Sequence, residues 1–499
     1  MLCIDPGRPI LGAVWGARGH AERMTAAPAL AAPPAATVRR ARRVARRRPH
    51  TRPLWNLAAI VVIWATSLVV VAVWVAGGEV QSLLAGGADS LNSLSRAAGL
   101  ASANLLFYQV LLMARVPLFE RGFGRDGITR MHRVVGFWSF ALFTAHIGLQ
   151  ILGYAVQAGI NPVVQAWQFV WDYLGMLLAT AGTGLLLLVV VTSVHKARKR
   201  LRYESWHLLH LYGYLGVGLA IPHMLWTGAD FTVSSAATVY WWAMWGVTVA
   251  TVVVFRLGLP LATSLRHGIR VSAVERDGQS GVSVRMTGRR IDALKARGGQ
   301  FFIWRFLDGA GWTRGHPFSL ATDPADGELV ISARFVGDGT QRLAALRPGT
   351  RVLIEGPYGT MTADERRGGH LLMIGAGAGV APLVAMLEEA DWAPGEATLI
   401  VRDHTAADAL RADAIDRLVR ERGLRHAPLP GRRALTTSSW LPTSHAQWAG
   451  ADLVRYVAPR PADTDVFLCG PQPWMDAVRA DLRRAGVPAE RVHLEAFTV

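Results

Sequence analysis

Four histidines in two apolar stretches are the residues whose type and spacing could bind a metal cofactor. His132 and His146 lie in one stretch, and His210 and His223 lie in a later one. At a helical rise of 1.5 Å per residue, each pair is separated by about 20 Å along its own helix. Neutral imidazole is an axial ligand of haem iron. Two such helices side by side therefore predict two stacked b-type haems.

Alternatives to this interpretation remain within the same stretches. A single membrane histidine could be a hydrogen-bonded packing residue, but two pairs of matched depth favour haem. On an ideal helix, His132 and His146 differ in direction by about 40° around the helix axis, and His210 and His223 differ by about 140°. Pro222, directly before His223, could bend the helix and turn that ring. His207 competes with His210 but lies about 24 Å from His223, so His210 is the predicted ligand.

The elements that must position the histidines are six stretches long enough to cross a membrane as helices. They are residues 55–76, 97–116, 131–153, 170–192, 206–226 and 236–258. Basic residues cluster in the N-terminal tail and in loops 115–133 and 195–202, and they are rare in the other loops. This pattern predicts a multi-pass protein of the cytoplasmic (inner) membrane with both termini cytoplasmic. His132 would then pair with His210 near the inner face, and His146 with His223 near the outer face.

The net charge of +17 (53 Lys+Arg, 36 Asp+Glu) does not indicate a nucleic-acid partner, because the charges flank apolar spans. Residues 1–52 are predicted to form a disordered basic cytoplasmic tail that contacts anionic lipid. This tail lacks the layout of a signal peptide, and Met24 is a plausible start. The two cysteines, Cys3 and Cys469, exclude a disulfide framework, a cysteine zinc site and a protein-held iron–sulfur cluster.

Beyond the spans the pattern changes twice, which predicts a multidomain membrane protein. Residues 53–260 form the six-helix transmembrane haem-binding bundle. Residues 266–362 alternate in short strand-like runs between Gly, Asp and Pro turns, which predicts an antiparallel β-barrel. Residues 368–499 alternate strands and helices, which predicts a parallel α/β domain.

Glycine-rich and aromatic motifs mark the two C-terminal domains. Gly375-Ala376-Gly377-Ala378-Gly379-Val380-Ala381-Pro382 follows an apolar strand and opens a helix, where a pyrophosphate could bind. Alone this is a weak signal, since tight strand-to-helix turns are often glycine-rich. Four further motifs accompany it: His316-Pro317-Phe318-Ser319, Gly356-Pro357-Tyr358-Gly359, Cys469-Gly470-Pro471 and Glu495-Ala496-Phe497.

Together with the histidine-bearing spans, these motifs resemble the NADPH oxidase and ferric reductase family over residues 97–499. The resemblance implies a ferric reductase-like transmembrane domain, an FAD-binding barrel and an NAD(P)-binding α/β domain of the ferredoxin-NADP reductase type. The implied cofactors are FAD, two b-type haems, and NADPH or NADH. The sequence departs from calcium-regulated members because no EF-hand loop precedes the spans.

The resemblance also implies roles for particular residues. His316, Pro317, Phe318 and Ser319 match the segment along the flavin and its ribityl-phosphate arm. Arg334 matches a basic residue on the FAD phosphates, and Gly339 and Thr340 lie in the pyrophosphate turn. Gly375, Gly377 and Gly379 match the dinucleotide loop, and Arg402 is a candidate contact for the adenosine ribose or its 2′-phosphate. Cys469, followed by Gly470 and Pro471, matches the residue near the nicotinamide ring, and Phe497 matches the aromatic that stacks on the flavin.

The leading functional hypothesis is an enzyme that moves electrons from cytoplasmic NAD(P)H through FAD and two haems to an extracytoplasmic acceptor. The acceptor would be a ferric chelate or dioxygen, with iron slightly favoured by the breadth of the family. A second hypothesis is a membrane-anchored flavin reductase that serves a cytoplasmic electron-transfer protein such as a ferredoxin. A third is a haem-binding sensor or assembly module without turnover, which the flavin and dinucleotide motifs disfavour.

Overall fold

The computed structural model describes residues 52–198, 200–201, 203–228, 235–309, 311–436 and 438–496. The chain divides into two compact units, which meet in sequence between Leu259 and Pro260. Residues 1–51 of the predicted tail and Phe497 lie outside the described residues.

The first unit is helical throughout its described elements. Its helices are α1 (Arg52–Ala76), α2 (Glu79–Ala85), α3 (Gly87–Met113), α4 (Pro117–Ala158), α5 (Pro162–Asp172), α6 (Met176–Ser193), α7 (His195–Arg198), α8 (Tyr203–Thr227) and α9 (Ser235–Val252), the last followed by a π-helical segment, Val253–Gly258. Gly124 interrupts α4 with φ = 68°, so the histidine-bearing part of α4 begins after it.

Within the part of the chain that the structure describes, five helices are long and apolar enough to cross a membrane. They span Leu54–Ala76, Gly127–Ala158, Met176–Ser193, Ser205–Thr227 and Ala236–His267. The second predicted span, 97–116, falls in α3, which is helical but less apolar. Four of its buried residues are polar: Ser93, Ser95, Ser102 and Asn104. The predicted count of six spans is therefore not confirmed, and five candidate spans stand.

Small residues let the helices that carry histidines approach their neighbours. A Cβ added to Gly182 of α6 would lie 2.5 Å from the carbonyl oxygen of Gly216 in α8. Ser102 of α3 donates a hydrogen bond of 2.8 Å to the backbone carbonyl of Ser139 in α4. Close packing of this kind is typical of membrane helix pairs, in which apolar burial gives little driving force.

The second unit begins with helix α10 (Leu259–His267) and contains eleven strands. The strands are β1 (Arg270–Arg276), β2 (Gly281–Thr287), β3 (Phe301–Phe306), β4 (His316–Ser319), β5 (Glu328–Arg334), β6 (Val352–Tyr358), β7 (His370–Ala376), β8 (Ala397–Asp403), β9 (Arg425–Pro430), β10 (Thr464–Gly470) and β11 (Val492–Ala496). The helices that follow α10 are α11 (Asp338–Ala344), α12 (Val380–Glu389), α13 (Ala412–Arg422), α14 (Gly450–Val457) and α15 (Gln472–Ala485).

The region predicted as a barrel consists of two three-stranded antiparallel sheets, ordered β1-β2-β5 and β4-β3-β6. Isolated bridges between Arg270 and Arg351 and between Leu320 and Ile331 connect the two sheets. Both sheets contribute to one core, which includes Phe302, Trp304 and Ile331. The antiparallel architecture agrees with the alternating sequence pattern, but a continuous barrel is not confirmed.

The C-terminal region forms a five-stranded parallel sheet in the order β11-β10-β7-β8-β9. β7 lies at the centre, so the chain leaves it towards β8 on one side and returns as β10 on the other. Cys469 of β10 pairs directly with Gly375 of β7. The glycine turn and the Cys-Gly-Pro motif therefore meet at the switch point of the sheet, where ligands of open α/β folds bind.

The first residue of β7 makes the stability of this sheet depend on pH. Burial, followed by the nearby Arg425, lowers the pKa of His370 from 6.5 to about 4. His370 therefore stays neutral in the folded protein, whereas an unfolded histidine binds a proton near pH 6.5. Because the unfolded state binds more protons between these values, stability is present above pH 6.5 and falls as the pH drops towards 4.

We expect His370→Gln to reduce this pH dependence, because the variant has no imidazole to protonate. The measurement is urea unfolding of the full-length protein in detergent, at pH 7.5 and pH 5, for wild type and variant. The variant should lose less stability than wild type between the two pH values. An equal loss in both proteins would contradict the assignment.

Candidate functional site

The structure brings the inner pair of predicted haem ligands together. The ring centroids of His132 in α4 and His210 in α8 are 6.0 Å apart, with an angle of 62° between the ring planes. A metal–imidazole bond is about 2 Å, so two rings on opposite sides of one metal ion have centroids about 6 Å apart. The spacing fits a bis-histidine site. His207, which competed with His210 in the sequence, is exposed one turn earlier.

The two inner rings differ in how their second nitrogen is held. Nδ1 of His210 lies 3.2 Å from the hydroxyl of Ser193 in α6, and the Trp206 ring packs on His210 at a centroid distance of 5.0 Å. Nδ1 of His132 is buried without a hydrogen-bond partner among the described residues. The carbonyl oxygen of His132 accepts a hydrogen bond of 2.8 Å from the Gln109 side-chain amide in α3.

The outer pair is held by hydrogen bonds at Nδ1 of both rings. Nδ1 of His146 lies 2.9 Å from the carbonyl oxygen of Ser95 in α3. Nδ1 of His223 lies 2.8 Å from the Thr227 hydroxyl, which itself donates to the His223 carbonyl oxygen at 2.7 Å.

This donor set fits haem iron. A histidine that binds a metal through Nε2 usually donates its Nδ1 proton to a carbonyl, hydroxyl or carboxylate. Three of the four rings have such a partner, and His132 has a buried nitrogen that the described residues leave unsatisfied. The ligand roles of all four histidines remain predictions, which this geometry supports.

The motif expected along the flavin forms β4, on the edge of a small cleft that Gly339 and Arg342 also line. The His316 ring lines this cleft beside Gly339, where an added Cβ would lie 3.0 Å from the ring. The His316 ring also stacks on Phe318 at a centroid distance of 6.1 Å. Pro317 is exposed and Ser319 is buried. Burial, with a smaller contribution from Arg342, lowers the pKa of His316, so the ring is neutral at physiological pH.

Thr340 closes the turn that leads into α11. Its hydroxyl oxygen accepts hydrogen bonds from the backbone amides of Val336 and Gly337, at 3.0 and 3.3 Å. The same hydroxyl donates to the Gly337 carbonyl oxygen at 2.9 Å. The structure thus places His316 and Gly339 together and gives Thr340 a role in shaping the predicted pyrophosphate turn.

The dinucleotide turn packs against the Cys-Gly-Pro motif so closely that its third glycine is required. A Cβ added to Gly379 would lie 2.2 Å from the carbonyl oxygen of Cys469. Gly377 has φ = +56°, which favours glycine, and Gly375 lies against Val380 at the start of α12. Gly470 packs on Trp474, and Pro471 precedes the first turn of α15.

Cys469 is fully buried beside Glu495, its registered neighbour in β11. Burial, followed by the nearby Glu495 carboxylate, raises the pKa of the Cys469 thiol well above its usual range. The thiol is therefore protonated at neutral pH. Glu495 also faces Gly359 of the Gly-Pro-Tyr-Gly motif, where an added Cβ would lie 3.3 Å from its carboxylate. The sequence pattern included Glu495 but predicted no role for it, although its position two residues before Phe497 indicated that it lies near the site.

Arg334 lies against the dinucleotide turn. Its Nη2 donates to Asp403 at 2.6 Å and to the carbonyl oxygen of Asp408 at 2.6 Å. A Cβ added to Gly377 would lie 3.7 Å from its Nη1. Burial outweighs the attraction of Arg334 and raises the pKa of Asp403 to about 6. Sequence reasoning missed Asp403, although its place at the end of β8, directly after Arg402, marked it as polar and near the switch point.

Arg402 uses its guanidinium on the protein backbone. Its Nε donates to the carbonyl oxygen of Trp440 at 3.1 Å, and its Nη1 donates to those of Asp403 and Leu429 at 2.5 and 3.1 Å. These bonds favour a structural role in joining the ends of β8 and β9. The predicted contact of Arg402 with a ribose or 2′-phosphate stays untested.

Comparisons with known proteins match a family model and several relatives. Residues 98–221 match the family model of the ferric reductase like transmembrane component. The chain is 28% identical over 214 residues to the ferredoxin reductase component of 3-ketosteroid-9-alpha-monooxygenase from Mycobacterium tuberculosis, covering 41% of this chain and 55% of that protein. It is 28% identical over 134 residues to respiratory burst oxidase homolog protein D of Arabidopsis thaliana, covering 22% of this chain and 14% of that protein.

Among solved structures, the Amycolatopsis cytochrome P450 reductase GcoB is similar at 23% identity and a TM-score of 0.38, covering 47% of this chain and 70% of that one. The chain spans about half the length of the mycobacterial relative. The sequence matches show a ferric reductase-like transmembrane component and a ferredoxin reductase-like segment in one chain.

The contact between Gly99 in α3 and His146 yields a direct test of the outer site. A Cβ added to Gly99 would lie 2.7 Å from Nδ1 of His146, whereas one added to Gly148 in α4 would meet nothing within 4 Å. We expect Gly99→Ala to displace the ring and to remove one of two haems. Gly148→Ala should retain both, because alanine is a favourable helix residue. The measurement is the haem content of each purified protein by pyridine haemochrome, and equal content in the two variants would contradict the assignment.

Proposed function

We propose that this chain, whose residues 98–221 match the ferric reductase like transmembrane component, is a transmembrane oxidoreductase of the NADPH oxidase and ferric reductase type. It moves electrons from cytoplasmic NAD(P)H through FAD and two b-type haems to an acceptor on the other side of the inner membrane. The observation that carries the proposal is the His132–His210 pair, with ring centroids 6.0 Å apart inside the segment that matches the ferric reductase family model.

The membrane helices support the haem part of this proposal. His132 and His210 would hold the inner haem, and His146 and His223 the outer one. Ser193 and Ser95, each on a neighbouring helix, lie at the Nδ1 atoms of His210 and His146. That arrangement leaves the opposite ring nitrogens available as ligands. Both termini of the chain would lie in the cytoplasm, as the distribution of basic residues predicts.

The residues of the second unit support hydride transfer from a nicotinamide to a flavin. His316 and the turn at Thr340 would hold the flavin and its pyrophosphate, and the turn from Gly375 to Gly379 would hold the dinucleotide. The buried Cys469 thiol and the Glu495 carboxylate lie together where the two motifs meet. FAD, when bound, would accept two electrons from the nicotinamide and release them singly.

The acceptor separates the leading function from its alternative. A ferric chelate or dioxygen outside the membrane is the acceptor in the leading version, with ferric iron slightly ahead. The alternative is a membrane-anchored flavin reductase for a cytoplasmic electron-transfer protein. The name of the mycobacterial relative, a ferredoxin reductase component, favours the alternative, whereas the paired histidines favour the leading version.

The deciding experiment is anaerobic reduction of the purified protein by NADH or NADPH, followed by addition of one acceptor at a time. Reduction of b-type haem bands by the nucleotide, and their reoxidation by ferric citrate or by dioxygen, would support transmembrane transfer. Rapid flavin reduction without haem reduction, together with fast transfer to an added ferredoxin, would support the alternative.

The choice between neighbouring histidines gives a prediction of its own. Because His210 of α8 pairs with His132, His210→Gln should lose the inner haem and His207→Gln should keep both. His146→Leu should lose the outer haem. Flavin reduction by NAD(P)H should remain in all three, since that step belongs to the second unit. Haem content and stopped-flow flavin spectra measure the outcome. Two haems in His210→Gln with a loss in His207→Gln would reverse the assignment.

Arg334 gives a second prediction. Besides the FAD phosphate that it is predicted to contact, a dinucleotide phosphate bound at the glycine turn would also lie within its reach. Its Nη1 faces the dinucleotide turn at Gly377. We expect Arg334→Gln to weaken NAD(P)⁺ binding roughly 10- to 100-fold, the range expected for a lost hydrogen bond to a charged group, with FAD content unchanged.

The matched control for this experiment is Arg285→Gln. Arg285 is another arginine of the antiparallel region with carboxylate partners, Glu275 and Glu328. The Arg285→Gln variant should keep both the NAD(P)⁺ affinity and the FAD content of wild type. Equilibrium titration with NAD⁺ and NADP⁺ and the FAD content of the purified proteins are the measurements. Loss of FAD in Arg334→Gln would instead support the role on the FAD phosphates.

A further inference from the structure

The contacts of Ser95 in α3 converge on one predicted haem ligand. Its hydroxyl oxygen lies 3.1 Å from Nδ1 of His146 and 2.9 Å from the His146 carbonyl oxygen. Its own carbonyl oxygen lies 2.9 Å from the same Nδ1. The hydroxyl also lies 2.6 Å from the side-chain oxygen of Gln150, one turn further along α4.

We propose that Ser95 is the positioning residue of His146, which holds the ring with its Nδ1 proton towards α3 and its Nε2 free for the iron. The inference rests on the proposed function, because it assigns a role towards the outer haem. It goes beyond that function by naming a residue that sets how the ligand is oriented and how strongly it binds.

The hydrogen-bond acceptors around His146 determine its tautomer. The Ser95 carbonyl oxygen can only accept, so the bond to Nδ1 of His146 requires the proton to sit on Nδ1. The Ser95 hydroxyl carries a single proton, which it can donate either to the His146 carbonyl or to the Gln150 oxygen. Its lone pairs then remain available to the Nδ1 proton. A neutral imidazole protonated at Nδ1 offers its lone pair at Nε2.

The surroundings of Ser95 keep this arrangement rigid. Ser95 has 0% of its surface exposed, and the glycine one turn later on α3 makes room for the ring: a Cβ on Gly99 would lie 2.7 Å from Nδ1. The ring is therefore confined between α3 and its own helix. Burying a hydroxyl in a membrane bundle costs free energy unless the hydroxyl is hydrogen-bonded. The position of the Ser95 hydroxyl beside a predicted ligand therefore indicates a role towards that ligand.

Among the described residues, the inner site has fewer hydrogen-bond contacts at Nδ1 than the outer site. Ser193 approaches Nδ1 of His210 at 3.2 Å and is shared with Trp206 at 3.4 Å. Nδ1 of His132 has no such partner among the described residues. An acceptor on Nδ1 makes a ligating imidazole more basic and stabilises the oxidised metal. Loss of the Ser95 hydroxyl should therefore raise the reduction potential of the outer haem and leave the inner one unchanged.

The test compares Ser95→Ala with Ser102→Ala in the full-length protein. Ser102 is a buried serine on the same helix that bonds the α4 backbone at Ser139 and no histidine, so it controls for loss of helix packing. The readouts are haem content, the low-spin electron paramagnetic resonance signals and the potentials of both haems by redox titration. We expect Ser95→Ala to shift one signal and to raise one potential, while Ser102→Ala shifts neither.

Unchanged signals in Ser95→Ala, or equal shifts in both variants, would overturn the proposal and leave Ser95 as a packing residue. If Ser95→Ala does not accumulate, Ser95→Cys is the second variant. Its thiol is a weaker hydrogen-bonding group at the same position, so the potential of the outer haem should rise by less. Wild-type protein without b-type haem would overturn the proposed function itself. The two failures are thus distinguishable.

Discussion

An imidazole ring is best held between membrane helices when the helices behind it make room and accept the proton on its second nitrogen. In a bilayer no water is available to satisfy that proton, so the acceptor must come from the protein. The structure meets this requirement with small residues, most clearly at His146, where Gly99 gives space and Ser95 gives acceptors. The polarity of α3 follows from the same need, because a helix that supplies hydroxyls to its neighbours cannot be uniformly apolar.

The second unit solves a related problem with charge instead of hydroxyls. Pyrophosphate groups need glycine turns for close approach and cations for balance. The parallel sheet provides the turn at its switch point, and a strand of the antiparallel region brings Arg334 to it. The Arg334 guanidinium pairs with Asp403, which is buried enough for its pKa to reach about 6. A bound pyrophosphate and Asp403 would thus compete for one cation.

These two halves give the proposed function its direction. A flavin can receive a hydride only where nicotinamide and flavin sites meet, and in the proposed function the paired residues Cys469 and Glu495 would lie at that place. Single electrons can cross a membrane only along cofactors held at different depths, which the paired histidines would provide. Matches to a ferric reductase like transmembrane component and to a ferredoxin reductase component bring both devices together in one chain, and the acceptor is the remaining part that neither device specifies.

Much of this organisation follows from the sequence alone. Histidine spacing along two apolar stretches predicted the His132–His210 pairing that the structure displays, and strand–glycine–helix order placed Gly375 to Gly379 at a turn. Local periodicity and motif order carry that information, because each depends on residues close together in the chain. The same reasoning overstated the regular features. It predicted six apolar spans and a continuous barrel, whereas five candidate spans and two bridged sheets are observed.

The tertiary structure decided which side chains serve as partners. Ser95 and His146 are 51 residues apart, and Arg334 and Asp403 are 69 apart. No periodicity links such positions, so only packing could show that Ser95 holds a ligand or that Arg334 faces the dinucleotide turn. Arg402 is a further example. Its residue type suggested a phosphate contact, whereas in the structure its guanidinium donates to backbone carbonyl oxygens. Residue type sets which hydrogen bonds are possible, and folding alone selects the atoms that form them.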